Sequence, residues 1–102
     1  MQQEIGDAVT VAGHLDTIIS ENDRVRILDV KVPPGAVAEM HSHPDNIIVV
    51  LDGGTLNFTN PEGVTKSGNF AAGQAFFSPG NIHKVENKGD EEVHVIQIEL
   101  KQ

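Results

Sequence analysis

Turn signals recur along the chain at intervals too short for most helices: Pro33-Pro34-Gly35, Pro44-Asp45, Asp52-Gly53-Gly54, Asn60-Pro61-Glu62-Gly63, Gly68-Asn69, Pro79-Gly80-Asn81 and Lys88-Gly89-Asp90. Proline lacks the amide hydrogen that helices and inner strands use, and glycine, asparagine and aspartate tolerate the backbone angles of tight turns. Between these signals lie short β-branched or alternating runs, which is the pattern of an all-β sandwich or barrel. Val25 to Val32 alternates imperfectly and reads as a strand. Ile47 to Leu51 is apolar at every position, as expected for a strand covered on both faces. Val93 to Leu100 closes the domain as a last strand, setting His94, Ile96, Ile98 and Leu100 on one side and Val93, Val95, Gln97 and Glu99 on the other. Helical periodicity is confined to Ala12–Ser20, where Thr17-Ile18-Ile19 favours a strand instead.

At 102 residues the chain is expected to form one domain, 1–102. A domain this small gains stability from a metal, crosslinks or self-association, and the sequence has no cysteine to crosslink. The same absence fits a reducing compartment, so a cytoplasmic location is expected. Met1 to Thr10 carries Glu4 and Asp7 but neither a basic start nor an apolar run, so no export signal is read there. No segment approaches the roughly 18 apolar residues of a membrane span. Seven basic against 15 acidic residues give a net charge of −8, which repels phosphate backbones and anionic lipid. Neither nucleic acid nor a membrane is an expected partner, and the acidity itself serves solubility.

His41 and His43 are separated by one residue, so on a strand both side chains leave from the same face, about 6 to 7 Å apart at their Cα atoms. Neutral imidazole is the commonest ligand for transition metals, and two rings so placed can share one ion. Taken alone, the pair fits two surface histidines equally well.

The surrounding residues resemble a cupin, a small double-stranded β-helix or jelly-roll barrel. The first motif of that family runs glycine, five residues, His, one residue, His, three or four residues, Glu, six residues, Gly. Here Gly35 leads by that spacing to His41 and His43, then to Ile47 where glutamate is usual, and on to Gly54; with a loop one residue shorter, Asn46 takes that place and Gly53 closes the motif. The second motif resembles Gly73 to Asn87, with Pro79, a Gly80 one residue early, His83 and Asn87. The two motifs, 35–54 and 73–87, span about half of the chain.

The resemblance implies that His41, His43 and His83 are ligands to one divalent transition metal, with Fe, Ni, Zn, Mn and Cu all compatible with imidazole donors. It also implies that the fourth family ligand is absent: Ile47 cannot coordinate, and Asn46 offers only a neutral carbonyl oxygen. Three neutral imidazoles leave the ion its full charge and two or three open positions for water, dioxygen or a chelating small-molecule substrate. Similar sites in cupins cleave carbon–carbon bonds or oxidise thiols with iron and dioxygen. Thiol dioxygenases of this fold usually rely on a tyrosine, and the chain has none. No catalytic residue is identified; Glu39, Asp45 and Glu86 are the acids able to approach from loops.

The pocket is expected to be lined from Met40, Ile47, Val49, Phe58, Phe70, Phe76, Phe77, His94, Ile96 and Ile98, with Gln74 and Gln97 available for hydrogen bonds and His14 a weaker candidate. Three functions fit: a mononuclear, dioxygenase-like metalloenzyme acting on an oxygen-chelating substrate such as a β-dicarbonyl or enol acid, a non-catalytic metal-dependent binding or sensing module, and a purely structural ion. A homodimer is expected, through the outer face of Ile47–Leu51 or the N-terminal strand.

Overall fold

A computed structural model describes residues 6–101, and among the described residues the chain forms nine strands and one short helix; the first half of the segment read for an export signal, Met1 to Ile5, lies outside them. The helix α1 is Ala8–Val11, started by Asp7, whose carboxylate accepts from the Val9 amide. The strands are β1 Asp16–Glu21, β2 Val25–Val32, β3 Val37–His43, β4 Asn46–Asp52, β5 Gly54–Thr59, β6 Thr65–Phe70, β7 Ala75–Ser78, β8 Asn81–Glu86 and β9 Val93–Leu100. They form a five-stranded sheet in the order β1-β2-β9-β4-β7 and a four-stranded sheet in the order β3-β8-β5-β6, antiparallel throughout. This is the all-β architecture expected from the turn spacing, and the double-stranded β-helix that the resemblance implies. One expected turn is absent, because Gly68 and Asn69 pair within β6 against Leu56 and Thr55.

Directly opposed residues share a sheet face, so the register decides what points inward. Val30 opposes Val95, which opposes Val50, and Val32 opposes Val93; these valines are part of the core or pack on it, with Leu15, Ala38, Leu56 and Val85. The same inward parity carries Leu28 and Gln97, then Arg26, Glu99 and Asn46. The opposite parity sets Ile27, Ile98, Ile47 and Phe77 in one row across four strands of the outer face. β4 is therefore covered on one face only by the described residues, contrary to the two-sided burial its unbroken apolar run suggests. Phe77, at the end of that row, is 58% exposed.

β3 does not keep a single parity. Ala38 opposes Val85 and His41 opposes His83, so two residues of β3, Glu39 and Met40, bulge opposite Lys84 alone. A bulge of this kind re-aims the side chains beyond it. Ala38, His41 and His43 consequently all face inward and are all buried, although Ala38 and His41 have opposite parity in the sequence. Gly35 and Gly73 turn with φ of 82° and 90°, values that side chains rarely adopt.

Candidate metal centre and its cavity

β3 and β8 place His41 directly opposite His83, and the strand period adds His43 to the same face. The ring centroids lie 4.8 Å apart for His41 and His43, 4.8 Å for His41 and His83, and 5.2 Å for His43 and His83. One nitrogen from each ring falls within 4.8 Å of the others. Burial is the main cause that lowers the His41 pKa, opposed by its bond to Glu39 and reinforced by neighbouring His43. Burial, then the nearby His41 and His43, push His83 down to about 3, so this ring is neutral with a free lone pair at neutral pH.

The hydrogen bonds fix which nitrogens face one another. His41 Nδ1 lies 2.6 Å from the Glu39 carbonyl and His43 Nδ1 lies 2.8 Å from Glu99 Oε2. Both partners are acceptors, the second being a carboxylate that also accepts from Arg26 Nε at 2.8 Å, so both Nδ1 atoms carry hydrogen. The two Nε2 atoms then present lone pairs to each other across 3.1 Å. Two acceptors at that distance repel unless a proton or a metal ion sits between them. An ion here would be held by one ring nitrogen from each of His41, His43 and His83, which lie within 4.8 Å of one another, so the donor set fits a transition metal.

The histidines open into a cavity of about 430 Å³ between the sheets. Its walls are mostly apolar, with Val30, Ile48, Leu56, Phe58, Phe70 and Phe76 prominent, while Asn60, Lys66 and Asn81 add polar groups, and the Phe58 and His83 ring centroids lie 5.3 Å apart. Asn46 lines it too, its amide donating to the Pro44 carbonyl at 2.9 Å and its oxygen accepting from Gln97 at 3.1 Å. Of the two alternatives for the place of the absent glutamate, Asn46 lines the cavity and Ile47 points to the outer face.

Several expected pocket residues lie elsewhere. Val49, Ile96 and His94 share the outer parity of β4 and β9, as do Ile47 and Ile98, and His94 Nε2 bonds Asp29 there at 2.5 Å. Phe77 also joins the outer row, and Met40 is spent on the bulge. Phe58, Phe70, Phe76 and Gln97 do line the cavity, whereas Gln74 caps a turn at Ala71 and His14 bonds the Val37 carbonyl at the surface. Glu39, Asp45 and Glu86 are not on its walls.

The acid that does line the cavity is Asp16, from β1, only 4% exposed. Burial pushes it up to about 6, partly offset by His43 and reinforced by Glu99. Neither Asp16 nor Glu99 was legible in the histidine motifs. The signal for Glu99 was its parity with Val93 and Val95 on β9, readable once that face is chosen as the inner one.

Comparison with known proteins places this geometry. The model of the cupin domain family Cupin_2 matches residues 28–99. The chain is 33% identical over 87 residues to the beta-alanine degradation protein BauB of Pseudomonas aeruginosa, covering 83% of this chain and 90% of that protein. Among solved structures, a cupin domain from Bordetella pertussis is similar over 99% of this chain and 100% of its own, with 27% identity and a TM-score of 0.79. The DMSP lyase DddQ from Ruegeria pomeroyi shares the fold at 20% identity and a TM-score of 0.57, over 79% of this chain and 40% of the lyase.

Proposed function

The chain belongs to the cupin domain family, and on that premise we propose that His41, His43 and His83 hold one divalent transition-metal ion for dioxygenase-like chemistry on a small oxygen-chelating substrate, such as a β-dicarbonyl or enol acid. The observation that carries this reading is the convergence of three imidazoles, with His41 Nε2 and His43 Nε2 3.1 Å apart and the Nδ1 of each already paired with an acceptor. When bound, such an ion supplies Lewis-acid polarisation of oxygen ligands and, if redox-active, access to dioxygen.

The chain's own residues supply the rest. The phenylalanine and valine walls suit an apolar substrate body of metabolite size. Asn46, tied to Pro44 and Gln97, keeps the place of the missing carboxylate neutral and leaves room for a chelating group. Asp16 can take or return a proton inside the cavity at near-neutral pH. The role in beta-alanine degradation that BauB's name gives it supports a small metabolite as the substrate.

A non-catalytic binding module is the second reading, favoured by the neutral Asn46 in place of a carboxylate. Protein purified without an affinity tag, stripped and titrated with Fe(II), Ni(II), Zn(II), Mn(II) and Cu(II), should bind one equivalent, and the His43→Ala variant should not. Turnover of β-dicarbonyls in air but not under nitrogen supports the enzyme. Tight chelator binding without turnover supports the module. No metal uptake beyond that of the variant would overturn both.

A further inference from the structure

Behind the three histidines runs a chain of charged side chains that the metal reading does not use. Glu99 is buried, 2% exposed, and its two oxygens are divided between two donors. Oε2 accepts from His43 Nδ1 at 2.8 Å, while Oε1 accepts from Arg26 Nε at 2.8 Å and faces Arg26 Nη2 at 2.5 Å. The same Nη2 reaches Asp7 Oδ1 at 2.6 Å. Asp7 is in turn anchored as the start of α1, beside the backbone of Ser42, the residue between His41 and His43. Ser42 donates its amide to Gly6 at 2.9 Å.

A buried carboxylate costs several kcal/mol unless its lone pairs are satisfied. This one is satisfied by a fixed guanidinium on one side and a histidine ring on the other, so it has no freedom to turn toward the cavity. We propose that Glu99 is a positioning residue: it holds His43 in the Nδ1–H tautomer with its Nε2 lone pair aimed at His41, and Arg26 and Asp7 hold Glu99 in place. The inference rests on the metal reading for its purpose, but the tautomer itself belongs to the metal-free protein. The general expectation for a carboxylate behind a ligating imidazole is a loss of about 10- to 100-fold in metal affinity on its removal. Glutamine is not a neutral replacement here. Its amide must turn an N–H group toward either His43 or Arg26, both already donors.

The test has two parts. Long-range proton–nitrogen NMR of chelator-treated, nitrogen-15 protein at neutral pH reports the tautomer of each histidine. His43 as the Nδ1–H form in wild type, shifting to the Nε2–H form or a mixture in Glu99→Gln and Glu99→Ala, supports the assignment. Competition with a chromogenic zinc chelator should then show affinity falling about 10- to 100-fold in both variants and by less in Glu99→Asp. An Nε2–H tautomer for His43 in wild type, which needs no variant to fold, would overturn the proposal. So would folded Glu99→Ala with an unchanged tautomer. Wild-type protein that shows the Nδ1–H tautomer but binds no metal would remove the metal reading while upholding the Glu99–His43 pairing.

Discussion

Of the two residues that could stand where the usual glutamate stands, Asn46 lines the cavity and Ile47 faces outward, so Asn46 is the one whose charge an ion held by the histidines would feel. Asn46→Glu introduces a carboxylate facing the histidines, so it should tighten metal binding and weaken bidentate anions by filling a position they need; calorimetry reads both. Ile47→Glu lands on the outer face and should change neither affinity, and an effect from Ile47 in place of Asn46 would reverse the assignment. Asp16 makes a second prediction at this scale. Its pKa is raised from 3.8 to about 6 by burial, so below its ordinary range it is neutral in both folded and unfolded protein and costs nothing. As pH rises through that interval the unfolded chain ionises first, and the folded state is penalised in full above about pH 6. In metal-free protein Asp16→Asn should therefore raise stability above pH 6 by up to about 3 kcal/mol and leave it unchanged near pH 3.5. Denaturant melts at the two pH values measure the difference, and equal gains at both would contradict the burial argument.

At the scale of the strand, what the sequence reveals depends on whether one periodicity persists. β2 and β4 can be placed from turns and apolar runs, and the His-x-His pair fixes its own common face without reference to the rest of the fold. β9 alternates cleanly, yet alternation does not say which side is inside. The more hydrophobic face, Ile96, Ile98 and Leu100, is the outer one, while Gln97 and Glu99 lie buried because Asn46, His43 and Arg26 satisfy them. That choice was closed to reasoning that ranks faces by hydrophobicity, and it misplaced His94 and Ile96 together. β3 defeats periodicity differently, since the two-for-one bulge at Glu39 and Met40 changes parity between Ala38 and His41. Deleting Met40 restores an unbroken strand. With Ala38 held in the core and Glu39 alone opposite Lys84, it should keep His41 and His43 facing inward and metal uptake intact, whereas deleting Glu39 and Met40 together should turn both rings outward, leaving circular dichroism of the β fold intact and metal uptake lost; uptake lost in the single deletion or retained in the double one would show that strand parity does not aim the histidines.

The molecule as a whole carries a net charge of −8, yet its five-stranded sheet turns an apolar row outward. Ile27, Ile98, Ile47 and Phe77 oppose one another across β2, β9, β4 and β7, with Val49 and Ile96 in the adjacent row. A sheet face of this kind is stabilised by apolar burial at about 25 cal/mol per Å², and the described residues supply no layer to cover it. A second copy is the simplest cover, because a two-fold axis sets the same row against itself with no new sequence required. The flanking polar groups suit that arrangement: Asp29, His94 and Lys31 sit at one margin, with His94 already paired to Asp29. A homodimer through this face is therefore expected, with light scattering after gel filtration giving about twice the mass of one chain at micromolar concentration. Ile98→Lys places a like charge against its own copy near the axis and removes apolar area from both halves. It should yield a monomer that keeps the three-histidine site, since Ile98 points away from the cavity. If the wild type is monomeric at every concentration, or if Ile98→Lys leaves a dimer unchanged, the outer face is not the contact and the N-terminal strand β1, at the open edge of the same sheet, becomes the place to introduce the next charge.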